Sequence, residues 1–91
     1  MTTQEAIKVK DEIMNNVSSW SISWVQFRSC QAYTGYYNSR YTLIKSYSTV
    51  VGLIDHHEGV VYELGKWSKT TSQQIRKIKR FMVPYYEFVA Y

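Results

Sequence analysis

The chain has 91 residues, 45% hydrophobic and 20% charged, which suits one domain over residues 1–91 and excludes a disordered chain. Its longest apolar run, residues 50–54, is far shorter than the roughly 20 residues of a bilayer span, and the N-terminus lacks the apolar stretch of a secretory signal. The single cysteine, Cys30, excludes an internal disulfide, so we expect a cytoplasmic protein.

The first predicted element is a helix. Thr2 followed three residues later by Glu5 matches a capping box, in which each side chain satisfies a free backbone amide at a helix start. Apolar residues then recur at three- and four-residue spacing up to Val17, with polar residues between them. The pattern predicts an amphipathic helix that ends near Asn15 and Asn16.

A strand and a loop are predicted next. Trp20, Ile22 and Trp24 alternate with serines, which is the two-residue period of a half-buried strand. The alternation slips after Trp24, which leaves either a bulge or a strand covered on both faces. Residues 33–41 contain four tyrosines and several turn-forming residues without an apolar period, so they are predicted to form an exposed loop.

A β-hairpin is the clearest element of the sequence. Residues 43–54 are rich in β-branched side chains, residues 55–59 form a polar segment that ends in glycine, and residues 60–64 return as an apolar run. Two apolar runs around such a segment predict antiparallel strands closed by a loop of three to five residues.

A second helix is predicted after the hairpin. Hydroxyl side chains in residues 68–74 are candidate N-caps, and Thr71 with Gln74 has capping-box spacing. The helix should end at Pro84, which cannot continue it. Its predicted apolar stripe consists of Ile75, Ile78 and Met82.

The predicted fold class is α+β. The element order α-β-β-β-α implies a small antiparallel sheet of three strands with two helices packed on one face. Residues 85–91 are either a short edge strand, which would make a fourth strand, or a docked aromatic tail.

Charge and aromatic content are the two outliers of the composition. The net charge is +4, six of the eleven Lys and Arg residues fall in residues 66–80, and no carboxylate occurs between Glu63 and Glu87. Nine tyrosines exceed what one small core can bury. Some of these rings are therefore expected either to face a partner or to line strands.

Three patterns that suggest chemistry each lack a feature that the chemistry requires. Residues 55–58 are four adjacent metal-ligand types, but neighbouring side chains of a turn diverge, so a solvated turn is predicted. Gly65 and Lys66 resemble the end of a phosphate-binding loop, yet Trp67 replaces the Ser or Thr that holds magnesium. Cys30 has no predicted neighbouring base. We therefore predict a non-enzymatic protein with no metal and no cofactor.

Three segments carry a resemblance to known proteins: residues 46–51 (SYSTVV), 61–68 (VYELGKWS) and 70–75 (TTSQQI). Together they resemble small accessory proteins of bacteriophages that infect Gram-positive bacteria. The resemblance implies no catalytic residues. It implies that the chain binds a host factor, as phage inhibitors of RNA-guided nucleases and of other defence enzymes do.

The leading hypothesis is a phage-encoded protein that binds and inhibits or modulates a host nucleic-acid-handling protein, for example as an anti-CRISPR. One alternative is direct binding of DNA or RNA by the basic second helix and exposed aromatic rings. A further alternative is a homodimeric structural module. The candidate partner-binding residues are Tyr33, Tyr36, Tyr37 and Arg40 in the loop, and Lys66, Trp67, Lys69, Arg76, Lys77, Lys79 and Arg80 around the second helix.

Overall fold

A computed structural model of the chain describes residues 1–28 and 30–91. Within these residues, six strands form one sheet in chain order, and neighbouring strands are antiparallel except the last two, which are parallel. The elements are α1 (Thr3–Asn16), a short 3-10 helix (Ser19–Ser21), β1 (Trp24–Gln26), β2 (Ala32–Tyr36), β3 (Tyr41–Ser46), β4 (Thr49–Asp55), β5 (Val60–Glu63), α2 (Lys69–Met82) and β6 (Glu87–Val89).

The sheet is larger than the sequence pattern predicts. Residues 43–54, expected to be one strand, belong to β3 and β4, which turn back at Tyr47 and Ser48. Tyr47 has φ 54°, a left-handed conformation that tyrosine seldom adopts, and no Gly, Asn or Pro marks this turn in the sequence. The α+β class is correct. The predicted antiparallel sheet of three or four strands is wrong, because the described residues form a mixed sheet of six.

The segment predicted as a loop also belongs to the sheet. Most of residues 33–41 lie in β2, which pairs with β1 and β3, and in the first residue of β3. Gly35 permits this pairing, because it lies opposite Trp24 and the indole ring occupies the space of a side chain at position 35. The strand predicted to start at Trp20 starts only at Trp24, after the 3-10 helix.

The predicted hairpin is confirmed, and the C-terminal segment is an edge strand. β4 and β5 pair antiparallel with Asp55 opposite Val60, and the turn between them ends in Gly59 at φ 68°. β6 runs parallel to β5, because α2 carries the chain back across the sheet between them.

Each face of the sheet is covered by one helix. On one face, Leu43, Leu53 and Tyr62 pack with Ala6 and Ile13 of α1. The core of the other face, which α2 covers, includes Ile44, Val51, Ile54, Val61, Ile75 and Ile78. The prediction that both helices pack on one face is wrong, because β3, β4 and β5 carry apolar side chains on both sides.

Both helices begin at hydroxyl caps. In α1 the predicted capping box is confirmed: the Glu5 amide donates to Thr2 Oγ1 at 3.2 Å, and the Thr2 amide donates to Glu5 Oε1 at 2.7 Å. The cap of α2 is Ser68, one of the candidate caps in residues 68–74, and its Oγ accepts from the Thr71 amide at 3.2 Å. Thr71, which has capping-box spacing with Gln74, lies inside the helix. Neither helix, nor any other in the described residues, is long and apolar enough to cross a membrane.

Replacing Gly35 with alanine tests the packing of β1 on β2. The added Cβ would lie 2.6 Å from Ile22 Cγ2 and 2.7 Å from the Trp24 ring. We expect the free energy of unfolding, measured by urea denaturation, to fall by about 1–3 kcal/mol. The control Ser48→Ala, in the exposed turn between β3 and β4, should change it by less than about 0.5 kcal/mol. Equal stability of G35A and the original chain would contradict this packing.

Candidate functional site

The side of α2 that faces away from the sheet collects most of the predicted cations. Ile75 and Ile78 are fully buried, and they fix the rotation of the helix about its axis. At about 100° per residue, the polar positions then point outward. The exposed cations on that side, here called the cationic face, are Lys69, Arg76, Lys77 and Arg80.

In residues 1–28 and 30–91, no carboxylate forms an ion pair with the cationic face. Three ion pairs occur between described residues, and none of them includes a cation of α2. Arg76 lies over the Phe88 ring, with Cζ 4.6 Å from the ring centroid. Lys79, also predicted as a site residue, is half-buried and donates from Nζ to the Pro84 carbonyl at 2.7 Å. The remaining positive charge of α2 faces solvent.

An open groove of about 700 Å³ lies beside the cationic face, between α2 and the residues that follow β1. Phe27 and Phe81 line it and meet edge to face, with ring centroids 5.6 Å apart. The Arg28 guanidinium lies over both rings, at 5.3 Å and 5.2 Å from their centroids. The side chains that define this α2 groove are Phe27, Arg28, Gln73, Lys77, Arg80 and Phe81.

The α2 groove combines aromatic surface with positive charge. None of the described residues that line it is a carboxylate, and Lys77 and Arg80 belong both to the groove and to the cationic face. Cys30 also lines the groove and is half-buried, and its thiol donates to the Phe27 carbonyl at 2.9 Å. Such a surface is suited to a ligand that carries both a flat ring and an anion.

The four site residues predicted from residues 33–41 do not form one surface. Tyr33 and Tyr36 are three residues apart in β2 and therefore face opposite sides of the sheet. Lys45 lies over the Tyr33 ring, with Nζ 5.3 Å from its centroid. Tyr37 packs against the core under α1. Of the three tyrosines, only Tyr36 is mostly exposed, at 64%.

Arg40, the fourth of these residues, pairs with a buried carboxylate. Its Nη2 lies 3.2 Å from Asp55 Oδ2, its Nε donates to Oδ1 at 3.3 Å, and Asp55 is completely buried. The amides of Glu58 and His57 also donate to Oδ1. Burial raises the pKa of Asp55, but the Arg40 guanidinium and these amides outweigh it and hold the pKa below its usual range.

The turn between β4 and β5 is only partly solvated. His57 is exposed as predicted, whereas both ring nitrogens of His56 have partners: Nε2 lies 2.8 Å from Thr42 Oγ1, and Nδ1 lies 3.1 Å from the Tyr86 hydroxyl. Among the described residues, no three His, Cys, Asp or Glu side chains form a group that could hold a metal ion.

Trp67 and Lys66 have different environments. The Trp67 indole nitrogen donates to the Val51 carbonyl at 3.0 Å, and its ring packs against the core under α2. This placement argues against the predicted stacking of Trp67 on a partner. Lys66 is exposed, just before α2.

The aromatic part of the groove was missed in the sequence. No regular spacing of apolar residues continues through Phe27 and Arg28. Arg28 lies over two rings with a φ of 56°, and the sequence does not predict this backbone conformation. The position of Phe81 beside the cations could have been predicted from the sequence. This residue lies off the stripe formed by Ile75 and Ile78, so a helical projection would place a large aromatic ring beside the cations.

A model of one protein family matches residues 2–83, from the cap of α1 to the end of α2. The chain belongs to the DUF8033 family, a family of unknown function. No curated protein and no solved structure matches the chain. The DUF8033 match contains the whole cationic face and the α2 groove, whereas β6 lies beyond it.

Replacing Arg40 with glutamine removes the charge that faces Asp55. Because the pKa of Asp55 is depressed in the folded chain, its contribution to stability is present above its unfolded pKa of about 3.9 and is lost as pH falls through the folded pKa. We expect R40Q to have a lower Tm than the original chain near neutral pH, and the difference should narrow as the pH falls toward about 2.

Thermal unfolding followed by circular dichroism over this pH range checks the prediction. Lys66→Gln is the control, because it removes an exposed cation that lies before α2 and outside this pair. A Tm difference between R40Q and the original chain that stays constant with pH would contradict the role given to the pair.

Proposed function

We propose that the chain is a non-enzymatic cytoplasmic protein that binds nucleic acid through the cationic face. The observation that carries this proposal is the row of exposed cations on one side of α2, which have no carboxylate partner in residues 1–28 and 30–91. Contacts between Lys or Arg and phosphates supply most of non-specific nucleic-acid affinity. They require positive charge that is not already neutralised within the protein.

The arrangement of the cations suits a polymer. Arg76 follows Lys69 by seven residues, and Arg80 follows Arg76 by four. At about 1.5 Å per residue, the three charges are spread over roughly 16 Å of the helix axis. The absence of carboxylates in residues 64–86 keeps the local potential positive along this row. A row of this length supports contact with several phosphates of one strand rather than with a single small anion.

A second candidate function is the phage-type inhibitor expected from the resemblance, which would bind a host nucleic-acid-handling protein. One observation favours it: Phe81, Met82 and Tyr85, at and just beyond the end of α2, are 64%, 41% and 87% exposed. Exposed aromatic residues beside arginines are typical anchors of protein interfaces. The homodimeric alternative would cover the same side chains, and light scattering distinguishes it by mass.

The dependence of binding on salt tests the nucleic-acid proposal. Fluorescence anisotropy with a labelled single-stranded oligonucleotide should show log affinity falling linearly with log salt. The double variant Lys77→Gln/Arg80→Gln should bind more weakly and should reduce the slope by about 1.4, since each phosphate contact on a single strand contributes about 0.7.

The matched control removes two positive charges from α1, on the other side of the sheet. Lys8→Gln/Lys10→Gln should keep the slope of the original chain, although its net charge changes equally. Equal slopes for the two double variants, or binding that does not respond to salt, would count against the cationic face as the site.

A further inference from the structure

We infer that the α2 groove seats an unpaired base of a single strand, so that the chain prefers single-stranded to double-stranded nucleic acid. This inference rests on the proposed function, and it adds the class of nucleic acid. The cationic face alone would hold the phosphates of either form. The groove adds an aromatic surface that only an exposed base can reach.

The ring surface of the groove is available. Phe81 is 64% exposed although it touches Phe27, which is buried and fixes one edge of the cluster. Arg28 adds a planar guanidinium within 5.3 Å of both ring centroids. Aromatic rings and guanidinium planes are the two side-chain surfaces on which unpaired bases commonly stack.

The charge of the groove selects an anionic occupant. Arg28, Lys77 and Arg80 all line it, and no carboxylate is found among the lining residues that the structure describes. Lys77 and Arg80 also belong to the cationic face. A nucleic-acid strand whose phosphates bind along α2 therefore lies next to the open side of the groove. A base attached to that strand is then within reach of Phe81.

The size and polar groups of the groove also fit a base. Its volume of about 700 Å³ is within the range of small-molecule sites, about 300–1,000 Å³. Gln73 is exposed at its rim and offers an amide, which can donate to and accept from a base edge. Bases in a duplex are stacked and paired, so they cannot enter without unpairing.

The backbone at Arg28 supports a specific role for this residue. Its φ of 56° lies in the left-handed region, which residues with a side chain seldom occupy. This conformation accompanies the placement of the guanidinium over two rings. A glycine would relax the backbone there but would remove the planar group.

Binding of single strands and duplexes by groove variants tests the inference. The probes are labelled oligo-dT, oligo-rU and a DNA duplex of equal length, each titrated by fluorescence anisotropy at one fixed salt concentration. We expect the original chain to bind both single strands more tightly than the duplex. Phe81→Leu keeps an apolar side chain and removes the ring, so single-strand affinity should fall roughly fivefold to 100-fold while duplex affinity changes less than about twofold.

Two further variants distinguish a loss of stacking from a loss of folding and from a loss of charge. Trp20→Leu, which removes an 87% exposed ring outside the groove, should leave all affinities unchanged. Arg28→Lys keeps the charge and removes the planar group, so it should weaken single-strand binding in the same direction as F81L. The Tm of each variant, measured alongside, confirms that the fold is retained.

The possible failures are distinguishable. Equal affinity for duplex and single strands, or F81L binding single strands like the original chain, would overturn the inference and leave the proposed phosphate contacts intact. Failure of every oligonucleotide to bind would overturn the proposed function as well, and the groove would then be assigned to a protein partner.

Discussion

The central strands of the sheet are apolar on both sides, and the rest of the architecture follows from covering both. Leu43 and Ile44 are neighbours in β3 and are both fully buried, which is possible only when each face has its own cover. Burial of a side chain of this size contributes about 1.5–3 kcal/mol to the free energy of unfolding. Because small domains are only marginally stable, leaving one face uncovered would remove much of that free energy. One helix on each face meets this constraint.

The same constraint decides where the cations lie. Ile75 and Ile78 must face the sheet, and the spacing of a helix then turns the charged positions of α2 toward solvent. The groove lies between α2 and the residues that follow β1, where the Arg28 guanidinium is 5.2 Å from the centroid of the Phe81 ring. Packing of the core and the candidate binding surface are therefore two consequences of one helix orientation.

The sequence allowed the elements with local signals to be predicted. The Thr2 cap, the turn that ends in Gly59 and the two isoleucines of α2 each act over a few residues. Other features depend on contacts that are distant in sequence. Gly35 lies in a strand because the Trp24 ring fills the space above it, and the sequence around position 35 reads as a loop. Tyr47 makes a turn in a conformation that its residue type disfavours.

The candidate site shows the same division. The charges of α2 could be predicted from a run of cations without carboxylates. The ion pair of Arg40 could not, because its partner Asp55 is 15 residues away and fully buried. Exposed and paired arginines look identical in a sequence. In the sequence, Trp67 likewise looks available for stacking, but in the structure its indole nitrogen donates a hydrogen bond to the Val51 carbonyl.

Backbone amide chemical shifts, measured while a single-stranded oligonucleotide is added, show residue by residue where the nucleic acid contacts the protein. We expect the largest changes on α2, Phe27 and Arg28, with the amides of α1 nearly unaffected on the opposite side of the sheet. Largest changes on α1, or changes spread evenly over the chain, would contradict this expectation.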